Sequence, residues 1–134
     1  VDTERGLIVP VVRDADKKTI MQLAEELQDL ANRARQGKVR SEELRGGTFT
    51  ITNLGGIGGT HFTPIINDPE VAVLGLGQAR KEPRFVDNTL QERQLLPVSL
   101  SYDHRLIDGA DGAKFIRWLS DAARSPLLIL LEGV

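Results

Sequence analysis

Ser99-Leu100-Ser101-Tyr102-Asp103-His104-Arg105-Leu106-Ile107-Asp108-Gly109 is the densest signal in the chain. Leu96 to Tyr102 reads as an extended segment, while Ala110, Ala113, Ile116, Leu119 and Ala123 recur at helical spacing. The stretch therefore joins a strand to a helix, and loops of that kind hold reactive groups on a rigid frame. Within it stands His104. An imidazole of ordinary pKa, about 6.5, is neutral for much of the time at pH 7 and can take a proton from a thiol of pKa about 8.5. Such transfer is worth roughly 10²- to 10⁴-fold in rate. A lone His more often has no role, and it is the surrounding residues that reverse the weighting here. Asp108 is open to two readings. It stands where it can cap the following helix, with Asp111 in the first turn, a contribution of about 1 kcal/mol. It can equally hold the loop shape that aims the imidazole. Asp103 and Arg105 read as a local ion pair.

Upstream, Leu7-Ile8-Val9-Pro10-Val11-Val12 is a β-branched run whose internal Pro predicts a strand near a sheet edge or a bulge. Ile20, Leu23, Ala24, Leu27, Leu30, Ala31 and Ala34 predict an amphipathic helix from Thr19 to about Arg35. Thr19 and Gln22 form a capping-box pattern at its start, and Gly37 closes it. Thr48 to Thr52 has strand content and runs into Gly55-Gly56-Ile57-Gly58-Gly59, which is too Gly-rich for an element interior. Without the Lys-Ser/Thr pair of a phosphate-binding loop, that stretch is no nucleotide site. Val71 to Leu76 predicts another strand. Pro83 to Val86 and Gln91 to Leu96 flank Asp87-Asn88 as a hairpin. The elements mix without a strict βαβ repeat, which favours a layered α/β sandwich over a doubly wound fold.

The length of 134 residues, with 40% hydrophobic content, fits one compact domain. With 17 Lys and Arg against 19 Asp and Glu, the net charge of −2 offers no basic field for nucleic acid or an anionic membrane. There is no Cys, which excludes disulfides and zinc-thiolate sites, so any thiol chemistry must use sulfur from another molecule. His61 reads as solvent-facing, and two His without Cys make no credible metal site. The apolar run Leu127 to Leu131 is far shorter than the roughly 20 residues of a membrane span. The chain opens on Val1-Asp2-Thr3-Glu4-Arg5-Gly6, with no initiator Met, and the expectation is that it starts partway through a longer polypeptide.

The pattern His104-Arg105-Leu106-Ile107-Asp108-Gly109, preceded by Ser101-Tyr102-Asp103, resembles the catalytic signature of dihydrolipoamide acyltransferases, the core (E2) enzymes of 2-oxo acid dehydrogenase complexes. Chloramphenicol acetyltransferase shares the fold and the shorter motif. Val1 to Leu7, Gly47 to Gly55, Phe62 to Asn67 and Pro69 to Gly75 look like that family too, in order, so the likeness covers nearly the whole chain. It implies an α/β two-layer sandwich with a mixed sheet, like that of chloramphenicol acetyltransferase, with residues 1–134 as the C-terminal portion of the catalytic domain.

By the same resemblance, His104 matches the base that deprotonates the thiol of CoA or dihydrolipoamide, which then attacks the thioester carried by the other. Thr52 falls on the hydroxyl that donates to the oxyanion, where loss of one donor typically costs about 10²- to 10³-fold. Without the family match, Thr52 would read as an ordinary strand Thr. In the family, an Arg from the upstream part of the domain pairs with the Asp corresponding to Asp108. Lipoamide is carried on a separate lipoyl domain and CoA is the second substrate; no metal is implied. The family forms homotrimers in which the His comes from one subunit and the hydroxyl from its neighbour. Those trimers stack into cubic or dodecahedral cores, and Leu127 to Leu131 is similar to the linking segment. Further domains recruit the E1 and E3 components. Gly58 to Pro64 looks most like acetyl-transferring members, which implies a pyruvate dehydrogenase core in the bacterial cytoplasm, or in the mitochondrial matrix if eukaryotic. The alternatives are a non-catalytic core-assembly subunit, a succinyl or branched-chain acyltransferase, and an acetyltransferase for a small hydroxyl substrate.

Overall fold

A computed structural model describes residues 1–127. The chain divides into two compact units, Val1–Thr48 and the part from Phe49 onward, where length alone suggests one.

In the first unit, β1 (Asp2–Thr3) pairs antiparallel with β2 (Gly6–Leu7), and the Val1 ammonium donates to the Ile8 carbonyl at 2.6 Å. The strand expected over residues 7–12 is not formed beyond Leu7. Pro10 has no N–H to donate, and the next backbone donor, Val11 N, is taken by the Glu43 carbonyl at 2.8 Å instead of by a ladder. Helix α1 (Ile20–Arg35) begins as its sequence predicts. The Thr19 hydroxyl accepts from Gln22 N, and the Gln22 side chain accepts from Thr19 N. It ends where Gly37, at φ 68°, turns the chain so that Lys38 N reaches back to the Arg33 carbonyl at 2.8 Å. After α1, Glu43 accepts from Arg40 N and from the Arg33 guanidinium, which together hold its carboxyl down at about 2.

The second unit is built on a three-stranded mixed sheet. Its centre is β4 (Ala72–Leu76), flanked by β3 (Thr50–Asn53), which runs parallel to it, and by β7 (Val98–Tyr102), which runs antiparallel. Ala72, Val73 and Leu74 are buried, as the central position of an apolar strand requires. Side chains alternate between the two faces. Leu74, Leu100 and Tyr102 share one face, and against it lies α2 (Gly109–Arg124), whose Gly112 abuts the Tyr102 ring. Phe49, just before β3, meets Phe115 of α2 with ring centroids 5.8 Å apart. Thr52, Gly75 and Ser99 lie in one row on the opposite face, where Phe62 and Pro64 sit over Gly75. This is the expected α/β sandwich with a mixed sheet. The remaining pair, β5 (Arg80–Val86) and β6 (Thr89–Leu95), forms its own hairpin. Its turn is Asp87-Asn88, with φ of 49° and 59°, the left-handed pair that a two-residue hairpin needs.

Candidate active site

Strand β7 delivers the chain into a tight turn whose framework is the Asp103 backbone. Its N–H donates to the Val71 carbonyl at 2.8 Å, and its carbonyl accepts from both Leu106 N and Ile107 N at 3.0 Å. The Asp103 carboxylate accepts from Arg105 N at 3.0 Å and from the Arg105 guanidinium, the shortest of these contacts being 2.6 Å. That grip, led by the side-chain bonds, holds the carboxyl down at about 2. The pair read from sequence as local is therefore a clamp on the turn.

His104 occupies the tip of the turn and is exposed. Its ring lies 5.6 Å from the Tyr102 ring, at 43°. Tyr102 in turn rests on buried Gly112 of α2, where a methyl group would lie 2.9 Å from its Cε1. The imidazole is thus backed by an aromatic ring wedged on the helix, while its other side faces outward. Among the described residues, no side chain forms a hydrogen bond to it.

Asp108 is the N-cap of α2: its carboxylate accepts from Asp111 N at 2.9 Å, and its carbonyl accepts from Gly112 N at 3.1 Å. Capping accounts for where it stands in this chain, and it makes no bond to His104.

Thr52 is half-buried in β3, far from that turn. It is level with Gly75 and Ser99, whereas Tyr102 is level with Ala72, three residues further along the sheet. At roughly 3.3 Å per residue and about 4.8 Å per strand, Thr52 and Tyr102 stand on the order of 14 Å apart. His104 lies beyond Tyr102, so one chain does not bring Thr52 and His104 together.

The Gly-rich stretch after β3 is a turn pinned to the end of β4. Leu54 N donates to the Leu76 carbonyl at 3.0 Å, Gly55 N to Asn53 Oδ1 at 2.9 Å, and Gln78 N to the Gly59 carbonyl at 2.8 Å. At Gly55 a Cβ would sit 2.9 Å from the Gly77 carbonyl oxygen, and Gly58 has φ 106°, so the backbone bend expected from the composition is real. His61 is exposed, as read. No group of three or more His, Cys, Asp or Glu placed to hold a metal occurs among the described residues. In those residues no helix is long and apolar enough to cross a membrane. The distal part of the Leu127 to Leu131 segment, 128–131, lies outside the described residues.

Two contacts had no explicit sequence reading: Tyr102 on Gly112, and Phe62 on Gly75. The available signal was a glycine inside a helix and another inside an apolar strand, positions where glycine commonly marks close approach.

The site thus consists of a mixed sheet with a helix on one face and His104 just beyond the end of its edge strand β7. The sequence profile of the 2-oxoacid dehydrogenases acyltransferase (catalytic domain) matches residues 1–131, and the chain belongs to that family. It is 51% identical over 119 residues to the dihydrolipoyllysine-residue acetyltransferase component of the pyruvate dehydrogenase complex of Haemophilus influenzae, covering 89% of this chain and 21% of that protein. A solved dihydrolipoamide acetyltransferase from Azotobacter vinelandii superposes with a TM-score of 0.94 at 49% identity, over 97% of this chain and 54% of that one. The cubic core of a pyruvate dehydrogenase multienzyme complex gives 0.94 at 48%, with the same coverage. The chain thus spans about a fifth to a third of the curated relatives it matches, and about half of these solved chains. In the Azotobacter protein, a Ser, a His and an Asn were studied for roles in the catalytic mechanism, the Ser standing 52 positions before the His and the Asn four after it. Here Thr52 stands 52 positions before His104, and Asp108 four after it.

Proposed function

We propose that this chain carries the thiol-activating base and the oxyanion donor of an acyltransferase that moves an acetyl group between dihydrolipoamide and CoA. The observation that carries the reading is the coincidence of both spacings: Thr, His and Asp fall where a relative has the Ser, His and Asn studied in its mechanism. Hydroxyl replaces hydroxyl at the first position, and a short hydrogen-bonding group replaces another at the third.

The chemistry follows from those groups. The neutral His104 imidazole accepts the proton of the incoming thiol, and the resulting thiolate attacks the carbonyl carbon of the acyl thioester. A carbon–sulfur bond forms and the carbonyl π pair moves onto oxygen, where the Thr52 Oγ–H donates to it. Collapse of the tetrahedral intermediate breaks the other carbon–sulfur bond, and the imidazolium returns its proton to the departing sulfur. Asp108 holds the start of α2, and with it the turn that presents His104. Because a single chain keeps Thr52 on the order of 14 Å or more from His104, the reading requires His104 of one copy to meet Thr52 of a neighbour. A homotrimer satisfies this at each of its equivalent interfaces. Trimers of this kind stack into a cubic or dodecahedral core, with lipoamide delivered on a lipoyl domain and the E1 and E3 components recruited by further domains. The setting is the bacterial cytoplasm, or the mitochondrial matrix in a eukaryote.

The test is thioester exchange between acetyl-CoA and dihydrolipoamide by the full-length protein. His104→Ala lowers kcat by about 10²- to 10⁴-fold while the oligomer keeps its size; turnover near that of the unaltered protein would remove the base assignment.

A further inference from the structure

We propose that Glu70, through its bond to Thr50, is a positioning residue that fixes the turn carrying His104; this rests on the acyltransferase reading above. The Thr50 hydroxyl donates to Glu70 Oε2 at 2.5 Å, a bond between half-buried residues 20 positions apart in the chain. Thr50 is the first residue of β3, and Glu70 stands two residues before β4 begins. The bond therefore ties the approach to the central strand onto the strand beside it.

Val71, the next residue, supplies the carbonyl that accepts from Asp103 N at 2.8 Å. This rung lies just outside the paired part of the sheet, which ends where Ala72 faces Tyr102. Exposed chain adjoins it on both sides: Asn67, Asp68 and Pro69 come before it, and His104 and Arg105 come after it. A rung at the end of a ladder opens at little cost unless the chain beyond it is tied. On the β4 side two bonds do this. Glu70 N donates to the Asn67 carbonyl at 2.8 Å, a bond local to the loop that would move with it, whereas the Glu70 carboxylate reaches across to Thr50. Because β3 is paired with β4 from Thr50 to Asn53, Thr50 is a fixed post, and loss of the bond frees the loop rather than the strand.

The effect falls on His104. The Asp103 carbonyl accepts from Leu106 N and Ile107 N, so a shift of the Asp103 backbone carries the whole turn with it. A displacement of about 1 Å at a reacting group can cost on the order of 10²-fold in rate.

The experiment uses the full-length acyltransferase that carries this chain, with acetyl-CoA as donor and dihydrolipoamide as acceptor. Turnover is read beside hydrogen exchange in a peptide spanning residues 99–107, which contains the Asp103 amide. Glu70→Ala lowers kcat by roughly tenfold to a hundredfold with little change in the KM for acetyl-CoA, and it speeds exchange in that peptide while the oligomer keeps its size. Thr50→Val, which removes the donor, does the same, and the double variant is no slower than either single one because both remove one bond. Glu70→Gln keeps an acceptor for the hydroxyl and restores most of the turnover. A kcat in Glu70→Ala within about twofold of the unaltered protein, exchange left unchanged, losses that add in the double variant, or a Gln variant as slow as the Ala one would each overturn the inference. Absence of acetyl transfer by the unaltered protein would remove the acyltransferase reading, and the exchange measurement, which needs no turnover, would still decide whether Glu70 holds the turn.

Discussion

Replacing Gly112 by Ala tests whether the aromatic wedge behind His104 governs the reaction. The added methyl lies 2.9 Å from Tyr102 Cε1 and 3.2 Å from Tyr102 Cζ. Carbon atoms pack comfortably at about 3.5–4.0 Å, so the ring must retreat by roughly 0.5–1 Å. Two energies then compete. Ala favours a helix over Gly by about 1 kcal/mol, whereas overpacking a filled site costs about 1–3 kcal/mol. The net change in stability lies between nothing and about 2 kcal/mol of loss, small enough for the variant to fold. Turnover is affected more, because the displaced ring is the neighbour that backs the imidazole at 5.6 Å. A misplacement of about 1 Å can cost on the order of 10²-fold, so kcat falls by roughly tenfold to a hundredfold with little change in the KM for CoA. The assay is steady-state acetyl transfer by the full-length protein, alongside thermal melting. A variant that melts higher and turns over normally would show that only helix propensity is felt at Gly112, and that Tyr102 does not position His104.

Thr52→Ala lowers kcat by about 10²- to 10³-fold with KM for CoA nearly unchanged, as steady-state kinetics will show, while Thr52→Ser retains most of the turnover. Asp108→Asn keeps an acceptor for Asp111 N and therefore keeps both melting temperature and kcat, whereas Asp108→Ala loses the cap and about 1 kcal/mol of stability; a kcat collapse in the Asn variant with unchanged melting would assign the carboxylate a chemical role. Arg105 holds the Asp103 carboxyl at about 2, below its ordinary 3.8, so the clamp contributes stability above pH 3.8 that is lost as the pH falls towards 2. Asp103→Asn flattens that part of a melting-versus-pH profile, and an unaltered slope would discount the clamp.

What was legible in the sequence follows the range of the interactions involved. Helix α1 could be read end to end because its signals are local: apolar residues at three- and four-residue spacing, Thr19 with Gln22, and Gly37. The β5–β6 hairpin announced itself through Asp87-Asn88 for the same reason. The strand expected over residues 7–12 failed because β-branched composition says nothing about whether a partner is present, and Pro10 withdrew a donor. Strand order and register were hidden altogether, since the pairing of Thr52 with Gly75 joins residues distant in sequence. At the candidate site, His104 and Asp108 stood out through one compact motif. Thr52 is chemically ordinary and gained meaning only from the family likeness. That Thr52 and His104 stand at different heights on the sheet could be seen only in three dimensions.

That separation has a genetic consequence. If a working centre needs an intact imidazole from one copy and an intact hydroxyl from the next, then two separately dead proteins, His104→Ala and Thr52→Ala, can rescue each other when co-assembled. In a random equal mixture about a quarter of the centres would draw both functional halves, one from each kind of copy. A protein whose centre lay wholly inside one chain would yield no such revival.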